Sequence, residues 1–157
     1  MPMDMNRFTE KSRQALQEAQ SNSLRFGHQE VDIEHMALAL VRQEDGLVPR
    51  LLEKAGYMPK AFAKALEDGL RKKPSVSGPG SAQGQMYITQ RMDKAMLRAQ
   101  DFAKALKDEY ISVEHIFCSF LDEGSGTLMG ATARQFGVTR EKVLGTMENV
   151  RGSQRVT

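Results

Sequence analysis

Two Glu-His pairs, Glu34-His35 and Glu114-His115, carry the side chains in this sequence best suited to proton transfer or metal binding. A carboxylate beside an imidazole could serve as an acid–base couple. With His28 and Cys118, the same residues could be read as zinc ligands. The spacing argues against both. Neighbouring helical residues point about 100° apart, so the Glu and His of one pair do not face each other. A tight zinc site needs ligands at short spacing, whereas the pairs lie at positions 34 and 114 and the single cysteine is isolated. Cys118 sits in the apolar run Ile116-Phe117-Cys118-Ser119-Phe120-Leu121. A reactive thiolate needs a polar, partly exposed setting, so this thiol is expected to pack in a core. No G-x-x-x-x-G-K-[ST] loop occurs, and Gly78-Pro79-Gly80 opens no helix after a strand. No enzyme, metal or cofactor is expected from these residues.

The pairs are better explained by the elements that must hold them. Val31-Asp32-Ile33-Glu34-His35-Met36 returns as Ile111-Ser112-Val113-Glu114-His115-Ile116. The register of 80 runs from Phe8/Ile88 to Arg42/Asp122, with Thr9/Thr89, Ala15/Ala95, Ala19/Ala99 and Gln20/Gln100 identical. After Gly124-Ser125-Gly126 the register becomes 81, matching Gly56 with Gly137, Phe62 with Val143 and Leu66 with Met147. Such a recurrence marks one structural unit written twice.

Each unit reads as four helices. Asn6 or Thr9 can cap the first, with Phe8, Ser12, Ala15, Leu16, Ala19, Ser23 and Phe26 on one face and Gly27 at its end. Asp32 caps the second, and Glu34 suits the positive end of that helix. The third follows Glu44-Asp45-Gly46, tolerates Pro49 in its first turn and ends at Gly56. Pro59 opens the fourth, which turns Phe62, Ala63, Leu66 and Leu70 inward. In the second unit Thr139 caps the last helix. No stretch alternates with period two, so strands are not expected. The fold class is therefore all-α, with eight helices as two pseudo-twofold-related four-helix repeats packed into one globular domain. A repeat of about 60 residues has a marginal core alone, so each is expected to close the other's apolar face. Within the single domain 1–157, repeat one spans 6–72, a Gly/Pro/Ser-rich connector 73–85, repeat two 86–150, and a polar tail 151–157 starts a linker to a further domain.

Composition narrows the partners. With 22 Lys+Arg against 20 Asp+Glu, the net charge of +2 gives no basic face for nucleic acid. Arg71-Lys72-Lys73 falls at a helix end, where cations favour the dipole. One cysteine excludes an intramolecular disulfide and fits a reducing, cytoplasmic setting. The polar start and the lack of a long apolar run point away from a signal peptide and a membrane. Repeat two is rich in methionine, with Met86, Met92, Met96 and Met129. Flexible thioethers suit either irregular core gaps or a surface that accepts varied apolar partners.

Phe8-Thr9-Glu10-Lys11 with its Ala-x-x-x-Ala helix, and the Glu-His helix starts, resemble the double-repeat N-terminal domain of the Clp/heat-shock chaperone ATPases. Leu70 to Gly78 resembles the family's inter-repeat linker, and Val150 to Thr157 its run-out toward the first ATPase module. The resemblance covers Asn6 to Thr157. It implies a substrate-binding N-terminal domain of an ATP-dependent protein disaggregase, which engages exposed apolar segments of unfolded or aggregated polypeptides. It also implies an isolated domain that is monomeric, belonging to a parent hexamer. Three family positions tied to substrate handling map to Thr9, Asp108 and Glu114. The family's apolar groove lies beside the first helix of the second repeat, which brings in Met92 and Met96. Other readings are an adaptor-docking N-domain of a protease-partner Clp ATPase, against which linker and tail argue, and a non-catalytic structural interaction domain. A small acid–base hydrolase built on the Glu-His pairs is a further alternative.

Overall fold

The computed structural model describes residues 5–74 and 87–151. Repeat one contributes helices α1 (Glu10–Arg25), α2 (Ile33–Arg42), α3 (Leu47–Lys54) and α4 (Pro59–Lys72). Repeat two contributes α5 (Gln90–Ala105), α6 (Val113–Phe120), α7 (Leu128–Phe136) and α8 (Arg140–Arg151). The termini obey the expected chemistry. Thr9 and Thr89 cap α1 and α5, accepting from the N–H groups of Ser12 and Met92. Pro59 opens α4, and Gly137 takes the left-handed conformation after α7 that L side chains resist. Helix α8 reaches Arg151, one residue beyond the expected boundary, because that guanidinium is bound back onto the body of the domain. Residues 75–86, most of the expected connector, and 152–157 of the tail lie outside the described residues.

Two elements that periodicity did not predict tie the repeats together. Strands β1 (Glu30–Val31) and β2 (Tyr87–Ile88) pair in parallel, and Phe8 forms a parallel bridge to Ile111. Thr9 N–H donates to Ile111 O at 3.0 Å, and Thr89 N–H donates to Val31 O at 3.2 Å. The lead-in to each repeat's first helix is thus stitched to the lead-in of the other repeat's second helix. Two-residue strands are too short to leave an alternation signal, which is why the sequence pattern misses them.

The repeats interlock rather than stack. Helix α3 packs on α6 and α8 of the other repeat, and α7 packs on α2 and α4. Phe62 of α4 lies edge-on to Phe117 of α6, with centroids 6.2 Å apart, and also meets Phe136 of α7. Burying a Phe of this kind stabilises a fold by about 1.5–3 kcal/mol. Helix α6 and, up to Val41, helix α2 are buried on every side, so they form the centre of the core and carry both Glu-His pairs inside it.

Two glycines of repeat two differ sharply in surroundings. A Cβ on Gly130 would run into the carbonyl oxygen of Gly124, whereas one on Gly145 in α8 would meet nothing within 4 Å. Gly130→Ala should lower stability by roughly 1–3 kcal/mol through overpacking. Gly145→Ala should raise it by roughly 0.5–1 kcal/mol through helix propensity and a less flexible unfolded chain. Urea unfolding of the two variants checks both signs.

Candidate functional site: the acidic pole at the start of α6

Helix α6 begins inside the protein, so its free N–H groups need internal partners. Ser112 and His115 form a capping box in which Ser112 N–H donates to His115 Nδ1 at 2.9 Å. That contact leaves the imidazole proton on Nε2, which donates to Asp108 Oδ2 at 2.7 Å. Asp108 is delivered by a sharp turn after α5, where Lys107 has φ 62 and Asp108 N–H returns to Ala103 O. The other carboxylate oxygen of Asp108 accepts from Arg151 Nη2 at 2.6 Å. Glu114 Oε2 stands 3.9 Å from Arg151 Nη1, while its buried Oε1 has no hydrogen-bond partner among the described residues. Phe102 presents its edge to His115, and Arg140 lies over the Phe102 ring at 4.7 Å.

Repeat one builds the same cap with a different ending. Asp32 N–H donates to His35 Nδ1 at 2.9 Å, and His35 Nε2 meets His28 Nδ1 at 2.8 Å where repeat two has Asp108. Burial, and then the neighbouring His28, depress the His35 pKa to about 4, and burial also lowers that of His28. Arg91 closes this pole. It binds Asp32 at 2.8 Å, Glu34 at 3.0 Å and Glu123 at 2.9 Å, and Glu34 also accepts from Met129 N–H. At Arg91's counterpart stands Lys11, whose ammonium points away to Glu44 O at 3.4 Å. The repeats therefore share a cap and differ in the cation that seals it.

A model of the Clp repeat (R) N-terminal domain matches residues 7–150. The chain belongs to that family. Chaperone protein ClpB of Nitratidesulfovibrio vulgaris (strain Hildenborough) is 63% identical over 155 residues, covering 99% of this chain and 18% of that protein. Chaperone protein ClpB of Bacillus anthracis is 38% identical over 155 residues, again covering 99% and 18%. The chain thus spans under a fifth of the curated relatives it matches. The Hsp104 N-terminal domain from Candida albicans has the same fold, with a TM-score of 0.79 at 18% identity, covering 95% of this chain and 94% of that one.

In this Clp N-domain, Thr9, Asp108 and Glu114 converge on one pole. Thr9 is stitched to Ile111, which leads directly into α6, and Ser12 Oγ donates to the same carbonyl at 3.0 Å. Asp108 and Glu114 are both buried there. Met92 and Met96 depart from the groove expectation. They are 0% and 3% exposed and belong to the core. The reason is local: the buried face of α5 otherwise carries the small residues Ala95, Ala99 and Ala103, and long thioethers fill the space these leave. An open apolar groove lies elsewhere, about 820 Å³ between α2, α3 and α4, lined by Val41, Pro49, Tyr57, Met58 and Ala63 among others.

Three contacts escaped the sequence. Arg91 and Arg151 reach partners far away in the chain, which local spacing does not encode. Ser112, His115 and Asp108 touch in the order of a hydrolase triad, with Ser112 Oγ 3.0 Å from His115 Nδ1. They do not work as one, because Nδ1 already accepts the Ser112 N–H and His115 is wholly buried. Burial likewise pushes the Cys118 thiol up to about 12, so it stays protonated. Among the described residues no group of three or more His, Cys, Asp or Glu is arranged to hold a metal, and no helix is long and apolar enough to cross a membrane.

The His35 environment carries a pH signature. The unfolded chain takes up a proton at His35 near pH 6.5, whereas the folded chain holds the ring neutral down to about pH 4. Its contribution to stability is therefore complete above about pH 6.5 and is lost as pH falls through that window toward 4. The urea midpoint should decline over that range, and the His35 ring resonance should titrate near 4. A ring titrating at the ordinary value would contradict the buried, neutral assignment.

Proposed function

We propose that this domain binds substrate for an ATP-dependent protein disaggregase, engaging exposed apolar segments of unfolded or aggregated polypeptides at the acidic pole of repeat two. The parent protein in this reading is a cytoplasmic hexamer whose ATP chemistry resides outside this chain, and the isolated domain is a monomer. The similarity to proteins named chaperone supports the general role. The observation that carries the choice of surface is the inequality of the carboxylates at the two poles. Arg91 satisfies Asp32 and Glu34 of repeat one with two short ion pairs, whereas Glu114 keeps a buried oxygen without a partner among the described residues. Buried polar groups are normally paired, so an unpaired carboxylate oxygen is a place where a ligand, an ion or a water can supply the partner. Tyr110 at 38% and Val150 at 43% exposure, next to Asp108 and Arg151 in sequence, offer apolar surface beside the charges.

The groove near Met58, a residue 69% exposed, favours a second reading as an adaptor-docking surface. NMR titration separates the two. An unfolded, Leu/Val-rich polypeptide should shift resonances of Thr9, Tyr110 and Glu114 and leave Tyr57 and Met58 in place. Shifts confined to the Met58 groove would move the function there. An absence of shifts at millimolar polypeptide would end the substrate reading.

A further inference from the structure

If the acidic pole binds substrate, its contact residues are inaccessible as they stand. The Asp108 side chain is 0% exposed and that of Glu114 is 3% exposed. What covers them includes Arg151, itself 12% exposed, which binds Asp108 at 2.6 Å and approaches Glu114 at 3.9 Å. Arg151 is also the last residue of α8, a helix that buries only Val143 and Met147 along its length. In its final turn Glu148, Asn149 and Val150 are exposed, so Arg151 is the residue of that turn tucked against the body. At the register of 81 its counterpart in repeat one is Leu70, a core residue that could not be exchanged in this way.

We propose that Arg151 is an internal occupant of the acidic pole, and that binding exchanges it for an Arg or Lys side chain of the client polypeptide. This rests on the substrate reading above and names the chemistry the site selects. Removing a cation from buried carboxylates without replacing it costs several kcal/mol, so an apolar segment alone does not open the pole. An incoming cation replaces the lost ion pair, and a guanidinium adds donors for the unpartnered Glu114 Oε1. Repeat one displays the product of such an encounter. There Arg91 sits on Asp32 and Glu34, the counterparts of Ser112 and Glu114, with a geometry a client arginine could adopt on Glu114. The exchange releases the final turn of α8, residues 148–151, from the body of the domain.

The test uses two unfolded Leu/Val-rich peptides that differ at one position, Arg in one and Gln in the other, with the arginine side chains of the protein labelled for NMR. The Arg peptide should bind several-fold more tightly. At saturation it should free the Arg151 guanidinium to rotate and speed amide exchange at residues 148–151. Arg151→Gln, with its fold checked by its spectrum and melting curve, should bind the Arg peptide several-fold more tightly than the parent does, because the Arg151 guanidinium no longer competes. Binding with the Arg151 guanidinium still held, or equal binding of the two peptides, would overturn the exchange and leave the substrate reading standing. If neither peptide binds, the substrate reading fails and the exchange fails with it.

Discussion

Two helices that begin in the dry interior impose the constraint on which the remainder depends. Helix α6 is buried throughout and α2 from Ile33 to Val41, so their first N–H groups cannot turn to water. A capping box closed by histidine satisfies the start of each. This choice has a consequence that Glu or Gln at the same position would not have. A histidine accepting at Nδ1 must donate from Nε2, so each cap needs a second buried acceptor. Repeat one supplies His28 and repeat two supplies Asp108. His28, accepting at Nδ1, carries its own proton on a buried Nε2 that finds no hydrogen-bond partner among the described residues, whereas the Asp108 carboxylate demands a cation. Arg151 at the end of α8 answers that demand.

Duplication thus provides a common frame, and the proposed function rests on the departures from it. The parallel stitches at Thr9 and Thr89 and the crossing of α3 and α7 between repeats hold the two poles in equivalent settings. On that frame Arg91 and Lys11 diverge, as do His28 and Asp108, and Leu70 and Arg151. In repeat one the changes produce a pole sealed by short ion pairs from α5. In repeat two the seal comes from the last residue of a thinly anchored helix, and one carboxylate oxygen goes unpartnered. A charge pair held by a helix that buries only two residues separates more readily than one held in the packed middle of the fold, since thinly packed segments open locally at low cost.

Much of the fold was legible because it is written in local chemistry and written twice. Thr9, Asp32, Pro59 and Gly137 each mark a helix end by a mechanism that acts within a few residues. The inward faces followed from helical spacing, and the repeat register identified His35 and His115 as matching helix starts. The candidate site was legible only as a set of names. Thr9, Asp108 and Glu114 came from family resemblance, and nothing in their spacing indicated that main-chain bonds would bring Thr9 to Ile111. The burial of Met92 and Met96 was hidden because core filling and surface stickiness ask for the same side chain. The choice between them depends on the alanines of α5 seen against α6. The guanidinium contacts of Arg91 and Arg151 join residues dozens of positions apart, beyond any periodic pattern.

The central claim is that two poles alike in backbone differ in function because only the second admits a client. Tyr110 and Glu30 occupy equivalent positions beside the two poles, so a photo-reactive benzoylphenylalanine in place of each compares them in one fold. With an unfolded Arg-bearing polypeptide, the probe at position 110 should give strong cross-links and the probe at position 30 almost none. Equal cross-linking at both positions, or a preference for position 30, would contradict the account.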